Sequence, residues 1–511
     1  MKPSNELFKL IKSMSKSEKR FFKLTSKLQS GPKNYIKLFD AIEKQSEYNE
    51  EAIKKEYQNE SFVKHLPSEK NHLFHLILKS LRQFHAENSI NSQLQEQIKN
   101  IEILYQKGLY KEGRKFIKRA KKIAYHYERF YYLFELINWE KQYLEEDFSP
   151  SSYDEELKKL MDEEKVIIDK LRNLAEYMIL NSKINYVFRK GGYARNEQER
   201  AIIEEIEDYH LIKGKNTAIS RRAAATCYYI QGLCAIAKGE YEKSYDKFQR
   251  VIQIFEENPH LIAQIPQQYI KALNNLLYKH IDEGNFDEYS QLVQKIEKLK
   301  ENTSFKSKDV FVKIFTTTFI AEMVALDRQK KYREGVWYIE NKLEEYEKFA
   351  DNLNIEEKSL INYNIAYIYF GAGEYKKALK WVNEVVNSHD QNFREDIYTF
   401  SRLFSIIIHY ELGNYELIDY LVKSTYRYML KKKKERGIEP LTEKIFLKYM
   451  RKVARYYDKP KKVQQAFERM HEELTEAFKH PNEQIALRYF DFPQWVKNKI
   501  KNPALKEKSL A

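Results

Sequence analysis

One local pattern recurs along this chain at near-constant spacing, and it limits the fold more than any other feature. An apolar helical stretch is followed by a Gly-x-aromatic turn and then by a second, amphipathic stretch. The clearest copy, CYYIQGLCAIAKGEYEKSYDKFQRVIQIF, runs from Cys227 to Phe255 and turns at Gly239-Glu240-Tyr241. The same order returns around Gly284, Gly373 and Gly413. Weaker copies turn at Lys330-Lys331-Tyr332, Gly108-Leu109-Tyr110, Gly191-Gly192-Tyr193 and Asp458-Lys459-Pro460. The turns at 239, 284, 330, 373, 413 and 458 lie 45, 46, 43, 40 and 45 residues apart. A period of about 40–48 residues sustained over this length points to a repeat array of helical hairpins.

Each part of the pattern has a physical reason. Glycine just past a helix accepts the left-handed backbone that ends it without a side-chain clash. The aromatic two residues later (Tyr241, Phe286, Tyr332, Tyr375, Tyr415) is expected to tuck back into the hairpin. Along the second helix, Ala378, Val382, Val385 and Val386 form an apolar stripe of the kind that packs on a neighbouring helix. Neither helix of a pair can bury such a stripe alone.

These units resemble the tetratricopeptide repeat (TPR). The unit beginning at Ala225 carries Tyr228, Gly232, Gly239, Tyr241, Phe248 and Val251 at the family's pattern positions, with Ser244 where alanine is usual. The unit beginning at Ser359 carries Ala366, Tyr369, Gly373, Tyr375, Ala378, Val382 and Val385. The period exceeds the about 34 residues of the standard repeat. Helices of about 16–20 residues, or roughly 24–30 Å, follow, similar to the TPR-like arrays of bacterial regulators and sensors. The resemblance spans about residues 93 to 480 and is strongest from 217 to 433. It implies an all-α fold, a right-handed α-solenoid, and an inner surface lined by Tyr229, Asn274, Tyr278, Tyr363 and Tyr367 as a binding groove. Rings give contact area at low entropy cost and an amide pairs with a peptide backbone, so these types suit a protein or peptide ligand. The competing reading is that long helices bury the same tyrosines against neighbouring units.

Composition agrees with long helices. Gly (14) and Pro (11) are scarce in 511 residues, and 42% of the chain is hydrophobic, which leaves long uninterrupted segments. No stretch approaches the ~18 apolar residues of a membrane span, and the opening MKPSNELFKLIKSMSKSEKRFF has no apolar core of a signal peptide. A cytoplasmic protein is expected, with no membrane partner. Cys227 and Cys234 stand seven apart on one expected helix, roughly 10 Å along its axis, too far for a disulfide. They read as small buried hydrophobes.

The expected organisation is a basic helical domain over 1–90, the repeat array over 91–480, and a C-terminal helix with a frayed end over 481–511. In the first domain Ser15 or Ser17 would cap a helix, Gly31-Pro32 breaks the chain, Tyr35–Lys44 and the EYNEEAIKKEY stretch give helices, and Leu66–Phe84 gives an amphipathic one. Pro67 suits its start, and Ser68 with Asn71 makes an imperfect capping box. Loops are expected at Phe148–Glu156, near Gly214, and over the basic run Lys431–Leu441.

Net charge is +14, distributed as +12 over residues 1–130, −8 over 131–430 and +10 over 431–511. Basic ends suit phosphate backbones or acidic proteins, although lysines interspersed with glutamates more commonly solvate helix faces. No phosphate-binding loop, zinc-protease, nucleophile-elbow or dinucleotide fingerprint occurs. His65, His72, His75 and His85 cluster, with Glu69 one turn before His72, but no further ligand pattern completes a metal site. Arg119–His126 and Arg402–His409 repeat an Arg-x6-His spacing that would put acid–base groups on one helix face; His409 falls at a packing position of its repeat. The expectation is therefore a non-catalytic scaffold, adaptor or sensor for a protein or peptide, without a cofactor or metal. The alternative is a nucleic-acid-binding regulator using the basic ends, although positions 1–90 show no clear base-reading helix-turn-helix.

Overall fold

The computed structural model describes residues 5–27, 34–85, 89–146, 150–191, 194, 196–302, 305, 307–388, 394–436 and 441–501. Every regular element among them is helical. The chain divides into two compact units, Met1–Ile167 and Ile168–Ala511.

The first unit opens with α1 (Glu6–Ser13), α2 (Lys16–Lys27), α3 (Asn34–Lys44), α4 (Glu50–Glu56) and α5 (Leu66–Phe84). They enclose a core that includes Leu7, Ile11, Phe22, Leu38, Phe39, Ile42, Leu73 and Ile77. Ser15 caps α2 as expected: its hydroxyl accepts the Glu18 N–H at 3.2 Å, and the Glu18 carboxylate accepts the Ser15 N–H at 2.6 Å, a reciprocal capping box. Ser68 and Asn71 do not cap α5. The helix starts earlier, at Leu66 with Pro67 in its first turn, because a 3-10 turn over Ser61–His65 feeds directly into it.

Next come α6 (Ile90–Gln106), α7 (Tyr110–His126), α8 (Phe130–Glu146) and the 39-residue α9 (Tyr153–Gly191), which starts in this unit and continues into the second. α7 packs on both α6 and α8. The α6–α7 turn has Gly108 at φ 68°, and the α7–α8 turn has Glu128 at φ 51°. Residues 154–156, expected in a loop, form the first turn of α9 instead, where three consecutive acids suit the helix N-terminus.

The second unit continues with α10 (Glu197–Asp208), α11 (His210–Lys213), α12 (Arg221–Lys238), α13 (Tyr241–Glu257), α14 (Pro259–Ile262), α15 (Pro266–Glu283), α16 (Phe286–Lys298), α17 (Lys308–Arg328) and α18 (Tyr332–Phe349). It ends with α19 (Ile355–Gly371), α20 (Tyr375–Val386), α21 (Glu395–Glu411), α22 (Tyr415–Arg436), α23 (Leu441–Arg455), α24 (Pro460–Ala477), α25 (Pro481–Gln484) and α26 (Phe492–Lys501). Among the described residues of this unit six hairpins result, α12/α13, α15/α16, α17/α18, α19/α20, α21/α22 and α23/α24. First helices also pack side by side, α15 on α17, α17 on α19 and α19 on α21.

Gly239, Gly284, Gly373 and Gly413 all take φ between 74° and 81°. Each turn closes with paired backbone bonds onto the helix end, as in Glu240 N–H to Ala235 O and Gly239 N–H to Ile236 O, both 2.9 Å. Lys330 adopts the same left-handed backbone at φ 59° and makes the equivalent bonds. Inside the first hairpin Gly232 faces the Phe248 ring, where a Cβ would lie 2.8 Å from Cζ; the glycine sets how closely α12 and α13 approach.

The basic run differs from expectation. Lys431–Arg436 extend α22, and Lys432 pairs with Glu395 at 2.9 Å. Residues 437–440, the Gly31-Pro32 break, Gly192-Tyr193, Phe148 and the segment from Asn502 lie outside the described residues. No helix among the described residues is long and apolar enough to cross a membrane.

Candidate binding surface

The first helices α15, α17, α19 and α21 share a face, and most of the expected groove residues stand on it. Asn274 and Tyr278 lie on α15, one turn apart and partly buried. Tyr363 and Tyr367 lie one turn apart on α19; Tyr363 is 5% exposed and Tyr367 partly buried. Tyr229 sits elsewhere, 8% exposed inside the α12/α13 hairpin with its ring edge-on to Phe248 at 5.5 Å.

The chain's own C-terminal segment lies on this face. Between α24 and α26 the backbone forms α25 and a 3-10 turn over Ile485–Arg488, then enters α26 at Phe492. The Tyr489 ring stacks on Phe400 of α21 at 4.2 Å and 8°, and its carbonyl accepts the Tyr363 hydroxyl at 2.8 Å. Phe490 packs against Tyr367 and Phe370 of α19, both at 5.8 Å, and against Phe404 of α21 at 5.5 Å. Aromatic pairs at these separations add about 0.5–1.5 kcal/mol each beyond burial.

Arg488 reaches the other side of the face. Its guanidinium stands 3.9 Å over the Tyr241 ring, with one nitrogen 3.4 Å from Asp282 at the C-terminal end of α15. Asp282 also receives Arg328 from α17 at 3.2 Å and the Tyr245 hydroxyl at 3.0 Å. Tyr241, expected to tuck into its hairpin, thus carries a cation instead. Burial pushes the Tyr278 phenol up to about 12, against the opposing influence of Arg394 and Arg488.

A buried ionic cluster fixes the far edge. Arg394, at φ 49°, forks its guanidinium onto Asp396 at 3.0 and 2.7 Å and reaches Glu356 of α19 at 3.5 Å. Asp396 is 1% exposed and also accepts the Tyr489 hydroxyl. Beyond it, Glu411 receives Trp495 Nε1 at 2.7 Å and Lys499 Nζ at 2.6 Å, pinning α26 to the end of α21.

Toward the N-terminal ends of α15, α17 and α19 the face is open. A cleft of about 480 Å³ is lined by Gln267, Lys308, Asp309, Lys313 and Glu357 among others. One turn along α15 from Gln267, burial pushes the Lys271 ammonium down, and the charges of Lys313 and Arg189 push it further. A second cleft of about 580 Å³ lies between α9 and α10, lined by Met178, Ile179, Tyr186 and Ile202 with Lys183 and Glu205.

Several of the remaining candidates have packing partners. His72 stands edge-on to Tyr35, and His85 contacts Glu18 at 2.6 Å. Among the described residues no group of three or more His, Cys, Asp or Glu is placed to hold a metal ion. His409 is buried, its Nδ1 3.0 Å from the Asn414 amide, while Arg402 bonds to Ser424 and Thr425 of α22. Arg119 lies over Phe116 and His126 against Tyr127. Cys227 and Cys234 are free and buried.

Sequence reasoning missed Arg488, Tyr489 and Phe490, which were assigned to no site. The available signal was compositional: RYFDFPQW packs four aromatics into eight residues immediately before a basic end. No protein-family model matches the chain, and no curated protein matches it.

Proposed function

We propose that the second unit is a right-handed, TPR-like α-solenoid that holds a protein or peptide segment on the common face of its first helices, as a scaffold, adaptor or sensor without catalysis. The observation that carries this reading is the seating of Arg488-Tyr489-Phe490 across α15, α19 and α21 through rings, a cation and a carboxylate. A surface able to hold one chain segment by side-chain contacts has the chemistry to hold another. Regular stacking of first helices and near-equal hairpin turns favour the repeat identity. The cleft at the N-terminal ends of α15, α17 and α19 gives a partner an entry to this unit.

Co-purification from the native cell at moderate salt, with nuclease treatment, tests the reading against a bulky, charge-introducing control on α15, Asn274→Arg. A nuclease-resistant protein recovered with the native chain and lost with the variant is the expected result. Recovery of nucleic acid alone, falling steeply with salt, would replace the scaffold reading with a nucleic-acid-binding one.

A further inference from the structure

Positive charge is concentrated on two neighbouring helices of the second unit, α22 and α23, and the start of α24. Residues 415–462 hold 15 Lys and Arg against 6 Asp and Glu, nine of the chain's 14 net positive charges in less than a tenth of its length. Helical register turns this excess into a surface. On α23, Lys444, Lys448, Arg451 and Arg455 are all exposed and follow at spacings of four, three and four residues, so they share one face over roughly 17 Å. On α22, Lys423, Arg427 and Lys434 are exposed, and Lys431 and Lys433 carry the strip toward its C-terminal end. Asp419 ties the two helices together: its carboxylate meets Lys423 at 2.5 Å and, across the boundary, Arg451 at 3.5 Å. That one acid is therefore shared between two cations. Glu443 is 3% exposed and offers little to the surface, while Lys448 meets Glu473 of α24 at 2.7 Å.

Two phenol rings stand in water on the same stretch, Tyr420 at 63% and Tyr426 at 43% exposure. Tyr426 precedes Arg427 and lies one turn from Lys423. Tyr363, Tyr410 and Tyr489, by contrast, are buried in the core of this unit. We infer that the exposed face of α22 and α23 binds single-stranded nucleic acid, the cations taking phosphates and Tyr426 stacking on a base. An acidic protein would match the charge alone. A nucleobase also uses a flat ring left open between cations, and because every base has such a face the binding carries little sequence preference. This surface is separate from the one in the scaffold reading, which concerns α15, α17, α19 and α21.

The probes are fluorescein-labelled oligouridine and oligothymidine of about fifteen nucleotides, followed by anisotropy with the full-length chain. Both should bind. Four phosphates neutralised on a single strand give a slope of about −3 in log affinity against log salt, a loss of about 50-fold between roughly 50 and 200 mM. Arg427→Glu combined with Arg455→Glu, both at exposed positions, should weaken binding at least ~10-fold and flatten the slope by about 1. Tyr426→Ala should weaken it at least ~5-fold with the slope unchanged, since stacking releases no counterions. The inference is overturned if the charge variant keeps native helicity by circular dichroism and native affinity, or if Tyr426→Ala binds as the native chain does. Polyglutamate displacing the probe as effectively as unlabelled oligonucleotide would also overturn it, making the face a general acceptor of anions. Asn274→Arg should leave oligonucleotide binding unchanged, so failure here and failure of the scaffold reading are separate results.

Discussion

Replacing Asp396 by asparagine removes the counter-charge from a guanidinium that has little else to replace it. Arg394 forks onto Asp396 at 3.0 and 2.7 Å, and its next carboxylate, Glu356, is 3.5 Å away on a partly exposed side chain. Asp396 is 1% exposed and also accepts the Tyr489 hydroxyl. Breaking one half of a buried pair costs about 3–5 kcal/mol, and the surviving Glu356 contact places D396N near the lower end. At about 2.1 cal/mol/K per residue for a unit of roughly 340 residues, 3 kcal/mol corresponds to about 4 °C of Tm if the unit melts cooperatively. The assay is a thermal melt by calorimetry with four proteins: native, Asp396→Asn, Arg394→Met, and the pair Arg394→Met with Asp396→Leu. Each single variant should lose about 3 kcal/mol and the pair much less, because a matched apolar replacement strands no charge. A single variant melting within 1 °C of native, or a pair whose loss equals the sum of the singles, would refute the argument that an uncompensated charge is the source of the cost.

At the hairpin turns, Gly373→Ala should destabilise by about 1–2 kcal/mol from backbone strain alone, since no atom lies within 4 Å of the added Cβ; Lys330→Gly, relieving the same conformation, should stabilise by up to about 1 kcal/mol, both read from urea midpoints. Gly232→Ala should cost about 1–3 kcal/mol through overpacking against the fully buried Phe248, and much of that should return when Phe248→Leu is added; no recovery would place the cost elsewhere. Burial lowers the pKa of His409, so the unfolded chain takes up a proton there more readily than the folded one. That contribution to stability is present above about pH 6.5, the ordinary histidine value, and is lost as pH falls below it. The urea midpoint should therefore drop further between pH 7 and pH 5 in the native chain than in His409→Gln.

Local rules made much of the helical framework legible. Leu66–Phe84 is the residue span of α5, and the glycine turns sit where the pattern placed them, because left-handed backbone is a local demand that glycine meets without cost. The Glu128 turn escaped notice for the same reason: it takes a left-handed backbone with no glycine to announce it. The basic run at Lys431 reads as a loop by composition, whereas α22 continues through Arg436 with Lys432 paired to Glu395, 37 residues away. The face shared by α19 and α21 shows the limit most clearly. Tyr363 and Tyr367 are identifiable by repeat position, whereas their coverage by Tyr489 and Phe490 depends on contacts between distant parts of the chain, about which helical periodicity is silent.

The bond from Arg488 to Asp282 joins residues 206 positions apart, which imposes an order of events during synthesis. Each hairpin closes with its immediate neighbour and can form as it leaves the ribosome. At about 5–20 residues per second, Asp282 and its tyrosines would wait roughly 10–40 s for the arginine to be made. Throughout that interval the nascent chain displays an uncovered aromatic strip, so newborn molecules pass through a window of greatest exposure to chaperones before Arg488 and its aromatic neighbours are made.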